Sequence, residues 1–214
     1  MKEKEVEQTL NDIRDMMSKS SRFQSVSGYS IIVVGLLAAV ASLITAVFIG
    51  VENGFPCSEK LQHFAVMDTA ARTQSIAITG MVLFALSLLT VFFFAYIKSK
   101  RHQLRFAFDK RMGQMLLDFF IPLVVGGVLS IVLVMQQHYG LTSSIMLVFY
   151  GLALVNCSHY TYPIFRYLGY VELLLGIIDF FTMSHALLFW FLGFSVTHII
   201  FGIVYVLLFD RKAK

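Results

Sequence analysis

The sequence predicts an all-α, polytopic membrane protein with six transmembrane helices and both termini in the cytoplasm. Three observations carry this prediction. Six apolar blocks each approach the ~20 residues that an α-helix needs to cross ~30 Å of hydrocarbon. Charged residues make up only 14% of the chain, where a soluble domain of similar size carries about 25%. The basic residues also segregate: with the N-terminus inside, only Lys60 and Arg72 of the 17 Lys and Arg fall outside. Positively charged loops resist translocation, which favours an N-in, C-in orientation.

The same numbers bound the partners. A net charge of +4 raises the question of nucleic acid. The cations flank apolar helix ends and are not interleaved with exposed aromatics, so they suit anionic headgroups of the bilayer instead. The polar lead before the first block is too long for a cleavable signal peptide. The two cysteines cannot pair with each other, because Cys57 falls outside and Cys157 at the inner end of the fourth block, with the bilayer between them; two unpaired thiols are the default, and an intermolecular bridge through Cys57 is the alternative.

Residues 1–27 read as a cytoplasmic amphipathic helix and linker, and residues 28–214 as the six-helix transmembrane domain. Val6, Leu10, Ile13 and Met17 recur at helical spacing beneath a mixed-charge face. This stripe is a candidate surface for a protein partner. The first block, Tyr29–Gly50, carries Gly35, Ala39, Ser42 and Ala46 on one stripe, where small residues let helices approach closely. Packing within the chain is the default use of that stripe, and a homo-oligomer seam is the alternative.

The outer loop Val51–Gln74 is the longest connection, and Glu59–Ala71 within it has the composition of a short surface helix. The second block is Ser75–Ile97. The basic inner loop Lys98–Gly113 sets Leu104, Phe106 and Phe108 among cations, as an interfacial segment does. The third block, Gln114–Met135, holds Asp118, Pro122 and Gly126-Gly127, and the proline predicts a kink near Asp118–Pro122. Short turns then join Leu141–Cys157, Ile164–Met183 and Ala186–Phe209, which makes these consecutive helices antiparallel neighbours. Tyr160, Tyr162, Tyr167 and Tyr170 mark the inner interface.

The polar constellation lies in the last two blocks. Gly169, Glu172, Gly176 and Asp179 follow at steps of three, four and three, so they share one helical face. Ser195, His198, Gly202 and Tyr205 obey similar spacing in the sixth block. The glycines Gly169, Gly176 and Gly202 are helix-packing positions, and Glu172 is expected to point at the same neighbour as the glycines beside it. Glu172 lies about eight residues, and His198 about eleven, from the inner ends of their blocks, near the bilayer centre at ~1.5 Å per residue. A charge there costs about 2.5–3.5 kcal/mol or more. Glu172 is therefore neutral, paired with His198, or joined with it around a cation. The remaining histidines stand at different depths, and no HxxxH or HExxH pair shares a helix face, so neither a metal centre nor a cofactor is predicted.

The stretches Thr9–Gly28, Arg166–Gly176 and His198–Gly202 together resemble a family of six-helix inner-membrane proteins of Bacteroides-like bacteria to which no activity is assigned. The resemblance covers the whole chain and implies membrane location and topology. A carotene-oxygenase activity, which is sometimes attached to such chains, would need several histidines around iron at one depth.

The resulting expectation is a non-enzymatic membrane protein that binds or senses a proton, ion or small lipophilic ligand. Its candidate residues are Glu172, His198, Asp179, Ser195, Tyr205 and Asp118. A small transporter or transporter subunit is the alternative, and a membrane enzyme acting on a lipophilic substrate is a third.

Overall fold

The computed structural model describes residues 27–49, 69–101, 110–136, 138–182 and 185–210. All of its elements are helical: α1 (Gly28–Ile49), α2 (Thr69–Arg101), α3 (Lys110–Met135), α4 (Tyr139–Cys157), α5 (Ile164–Thr182), α6 (Ala186–Phe191) and α7 (His198–Tyr205). The last two belong to one continuous rod, Ala186–Asp210. Within it a π-helical segment, Leu192–Thr197, separates α6 from α7, and a second, Val206–Asp210, follows α7. The all-α expectation holds among these residues. The amphipathic N-terminal segment, Cys57 with residues 51–68 of the long outer loop, and residues 102–109 of the basic inner loop lie outside them, while residues 69–74, expected as loop, form the start of α2.

The helices begin and end close to the apolar blocks. The differences extend α2 to Arg101 and start α3 at Lys110, so helix continues into the basic connection. Pro122 lies inside α3 without ending it. Among the described residues, five helices are long and apolar enough to cross a membrane: α1, α2, α3, α4 and the C-terminal rod. The remaining block, the fifth in chain order and here α5, is 19 residues long but carries Arg166, Glu172 and Asp179. Most of its exposed residues, among them Leu174, Ile177 and Phe181, are nonetheless apolar.

The C-terminal rod is the hub, packing against α1 on one side and against α4 and α5 on the other. The helix α2 leans on α1, and α3 on α4, while α2 and α3 touch each other little. Missing side chains permit the two tightest seams. A Cβ placed on Gly151 would lie 2.8 Å from the Gly169 carbonyl oxygen, and one on Gly169 would lie equally close to that of Gly151. Likewise a Cβ on Gly202 would stand 2.6 Å from Ile32, and one on Gly28 would stand 3.0 Å from the Gly202 carbonyl oxygen. Backbones this close gain dispersion contacts along the seam, the main source of helix association where lipid removes the hydrophobic drive.

The exposed surface inverts the soluble pattern. Met81, Leu89 and Phe93 of α2 and Leu117, Val124 and Ile131 of α3 are all exposed, while serines fill buried positions such as Ser30, Ser42, Ser130 and Ser144. Ser42 donates to the Ala39 carbonyl and Ser130 to that of Gly126, so these two hydroxyls are satisfied within their own helices. An apolar exterior of this extent suits a lipid solvent.

One end of the bundle is tied by Asp210. Its Oδ2 accepts the Gly28 N–H at 2.8 Å, satisfying one of the orphan donors at the start of α1. Its Oδ1 meets Lys98 Nζ at 2.9 Å. The turn between α4 and α5 comes to the same end, where the rings of Tyr162 and Phe209 lie 4.6 Å apart.

Candidate functional site

The site begins with a local irregularity. In a π-helical turn the hydrogen-bonding step is i to i+5 rather than i to i+4. Across Leu192–Thr197 this brings two consecutive side chains, Thr197 and His198, to the carbonyl of Gly193. His198 Nδ1 lies 2.9 Å from the Gly193 oxygen, and Thr197 Oγ1 also hydrogen-bonds to it. A carbonyl only accepts, so Nδ1 carries a hydrogen. In the neutral ring Nε2 is then an acceptor, and Tyr150 OH on α4 sits 2.7 Å from it.

The other end of the chain is Glu172 on α5. Its Oε1 is 2.7 Å from Thr197 Oγ1 and 3.6 Å from His198 Nδ1. The latter distance is too long for a hydrogen bond. Glu172 is fully buried and His198 nearly so. The sequence of contacts is thus Tyr150, His198, the Gly193 carbonyl, Thr197 and Glu172, drawn from α4, the rod and α5. Glu172 Oε2 has no hydrogen-bond partner. Aromatic rings wall the histidine, with Tyr150 stacked at 5.4 Å between centroids and Phe194 at 6.2 Å.

The hydrogens in this chain are limited. Thr197 has one O–H for two neighbours, the Gly193 carbonyl and Glu172 Oε1. Among the described residues no lysine or arginine pairs with Glu172.

The other candidates lie elsewhere. Asp179 is one face-repeat along α5 from Glu172, fully buried, with its Oδ2 accepting from Ser143 and, at 2.8 Å, from Ser144 of α4. Tyr205 is buried at the tied end among Tyr162, Phe165, Phe201 and Phe209. Asp118 accepts the Tyr160 hydroxyl at 2.8 Å, and this hydrogen bond raises the Tyr160 pKa above the usual phenol value. Ser195 is buried with no partner for its hydroxyl. Gly169 and Gly176 press on α4, against Gly151 and Val148. The glycines of α5 and Glu172 therefore do not share a neighbour in the expected way, because the carboxylate turns to the rod while the glycines seat α4. Gly202 packs on α1. Cys157 is a buried free thiol.

Four partners went unnoticed in the sequence: Tyr150, Thr197, Ser143 and Ser144. The adjacent pair Ser143-Ser144 in an apolar block was the available signal for one cluster. Thr197 lies off the 3.6-residue stripe that contains His198, and only the π-helical turn brings it in. Among the described residues, no group of three or more His, Cys, Asp or Glu side chains converges as a metal site would require. No family model, no curated protein and no solved structure matches this chain.

Proposed function

We propose that the chain is a six-span protein of a bacterial inner membrane that takes up and releases a proton at Glu172, with Thr197, His198 and Tyr150 as the hydrogen-bonded chain that holds it. The observation that carries this reading is the shortage of hydrogens around Thr197. If Thr197 donates to the Gly193 carbonyl, the 2.7 Å contact to Glu172 Oε1 has a hydrogen between its oxygens only when Glu172 is protonated. A neutral acid also tolerates its partnerless Oε2 better than a carboxylate would, since burying an unpaired charge costs far more than burying an unpaired carbonyl. The titratable groups facing Glu172 are His198 from the rod and Tyr150 from α4, both neutral in this arrangement, with Asp179 further along its own helix.

The orientation has separate support. The start of α1 and the end of the rod meet at Asp210, and Lys98 lies at that same end. An even number of crossings has this property, with α5 counted as the sixth span. Basic residues at this end favour the cytoplasmic side.

The test is infrared titration of the full-length protein in lipid. The carbonyl-stretch band of a protonated carboxylic acid should appear and titrate in the wild type and should vanish in Glu172→Gln. A band that survives this substitution unchanged would remove Glu172 as the proton site. A reporter fused to Lys214 should be active only in its cytoplasmic form.

A further inference from the structure

The start of α5 holds an arginine that is fixed in place but has no acid partner among the described residues. Arg166 is the third residue of the helix, at the end of the bundle tied by Asp210. Its Nε donates to Ser158 Oγ at 3.2 Å and its Nη2 to His159 Nδ1 at 3.3 Å. Ser158 is buried and spends its own hydrogen on the Val155 carbonyl at 2.6 Å, so its oxygen is held as an acceptor. Arginine only donates, so His159 Nδ1 accepts and the neutral ring carries its hydrogen on Nε2. The described acids at this end are engaged elsewhere: Asp118 accepts from Tyr160, and Asp210 pairs with Lys98.

These contacts use one edge of the guanidinium, Nε with one hydrogen of Nη2. The end edge, Nη1 with the second hydrogen of Nη2, has no partner among the described residues. Two parallel N–H groups of this kind match two oxygens of a phosphate. Tyr170, Leu174, Ile177 and Phe181 follow Arg166 at steps of four, four, three and four, so they share its helix face, and all four are exposed. At ~1.5 Å per residue, Tyr170 to Ile177 lie about 6–17 Å along the helix from Arg166. One leaflet of a ~30 Å hydrocarbon core spans that depth. A positioned cation above an exposed apolar stripe matches a phosphate above an acyl chain. A zwitterionic headgroup would also bring an ammonium beside an arginine that has no acid to receive it, whereas an anionic headgroup brings only negative charge.

We propose that Arg166, positioned by Ser158 and His159, binds the phosphodiester of one anionic phospholipid, whose acyl chain lies along Tyr170, Leu174 and Ile177. This site requires α5 to cross the membrane and is independent of the proton at Glu172.

The test is thermal unfolding of the purified full-length protein in a non-ionic detergent, with added dioleoyl phosphatidylglycerol or dioleoyl phosphatidylcholine. A ligand that binds the folded state raises the midpoint. With phosphatidylglycerol at about ten times its dissociation constant, a rise of about 3–6 °C over phosphatidylcholine is expected. Arg166→Gln should abolish the difference. Arg166→Lys keeps the charge and loses the fork; it should lose at least half of the difference, and it carries the test if the glutamine variant does not fold. Lys100→Gln, which removes an exposed charge from the end of α2, should retain it. Inorganic phosphate without lipid should leave the midpoint unchanged. Equal midpoints in the two lipids would overturn the proposal, as would a full response in either Arg166 variant. Loss of the response in Lys100→Gln would assign it to diffuse surface charge, and a rise with inorganic phosphate that Arg166→Gln removes would assign the arginine to a free anion; either result overturns the lipid site.

Discussion

Glu172 and His198 approach to 3.6 Å without a hydrogen bond between them, and Thr197 links Glu172 to the Gly193 carbonyl that His198 Nδ1 meets directly. This geometry differs from a simple acid–imidazole ion pair. The imidazole spends its Nδ1 hydrogen on Gly193 and its Nε2 lone pair on Tyr150, which leaves Glu172 dependent on Thr197.

The first prediction follows from that dependence. Glutamine has the shape of a neutral glutamic acid and an N–H to donate to Thr197. Glu172→Gln should therefore unfold within about 1 kcal/mol of the wild type. His198→Ala leaves the Tyr150 hydroxyl without its acceptor and opens a void, so it should cost about 2–4 kcal/mol. Reversible unfolding in mixed detergent micelles measures both. A glutamine variant as unstable as the alanine variant would mean that the resting glutamate is ionised.

A second prediction concerns the glycines, which divide into two groups. Gly151 and Gly169 face each other's backbone, and a methyl group on either meets a carbonyl oxygen at 2.8 Å that cannot swing aside. Alanine at either position should cost about 1–3 kcal/mol by forcing α4 and α5 apart. Gly80, Gly113 and Gly127 have no atom within 4 Å of an added Cβ. Alanine there removes chain entropy from the unfolded state and should stabilise by about 0.5–1 kcal/mol. The same unfolding assay separates the groups, and a loss at Gly127→Ala comparable to that at Gly169→Ala would contradict the close seam.

The helices were legible because apolar block length is a one-dimensional property of the chain. Each described helix starts and stops near the ends of its block. The depth match of Glu172 and His198 was legible for the same reason, since rise per residue is nearly constant along helices. Rotation about the helix axis was not. Tyr150 joins His198 because the Gly151–Gly169 contact sets the rotation and closeness of α4, and that contact forms between helices. Thr197 was hidden by the assumption of a uniform 3.6-residue turn, which the π-helical segment breaks. A single wider turn moves one further side chain onto the working face, and nothing in Leu192-Gly-Phe-Ser-Val-Thr197 announces it.

A third prediction tests the tie at the bundle end. Asp210 makes two different interactions, an ion pair with Lys98 and a cap on the Gly28 N–H. Asp210→Asn retains an oxygen for the cap and loses the ion pair, while Asp210→Ala loses both. The asparagine variant should cost about 0.5–1 kcal/mol and the alanine variant about 1–2 kcal/mol, with Lys98→Met resembling the former. Equal costs for the two Asp210 variants would show that the cap contributes nothing.

The last prediction perturbs the proton site without removing any of its polar groups. A methyl group on Gly193 would stand 2.6 Å from Glu172 Oε2 and would also collide with the side chain of Leu147. Leu147 is completely buried, and at 2.6 Å the carboxyl group must shift whether or not Leu147 does. Gly193→Ala should thus break the contact between Glu172 and Thr197 while leaving Tyr150 on His198. The expected result is a stability loss of about 1–3 kcal/mol together with a displaced carboxylic-acid band in the infrared spectrum. Thr197→Val should displace the same band by the opposite route, removing the hydroxyl rather than pushing the acid away from it. If the band shifts in the threonine variant and not in the alanine variant, Glu172 accommodates the methyl group by rotating as a unit with the rod. If neither variant shifts the band, the Thr197 hydroxyl is not the partner of the protonated acid, and the chain from Glu172 to Tyr150 is broken at its first link.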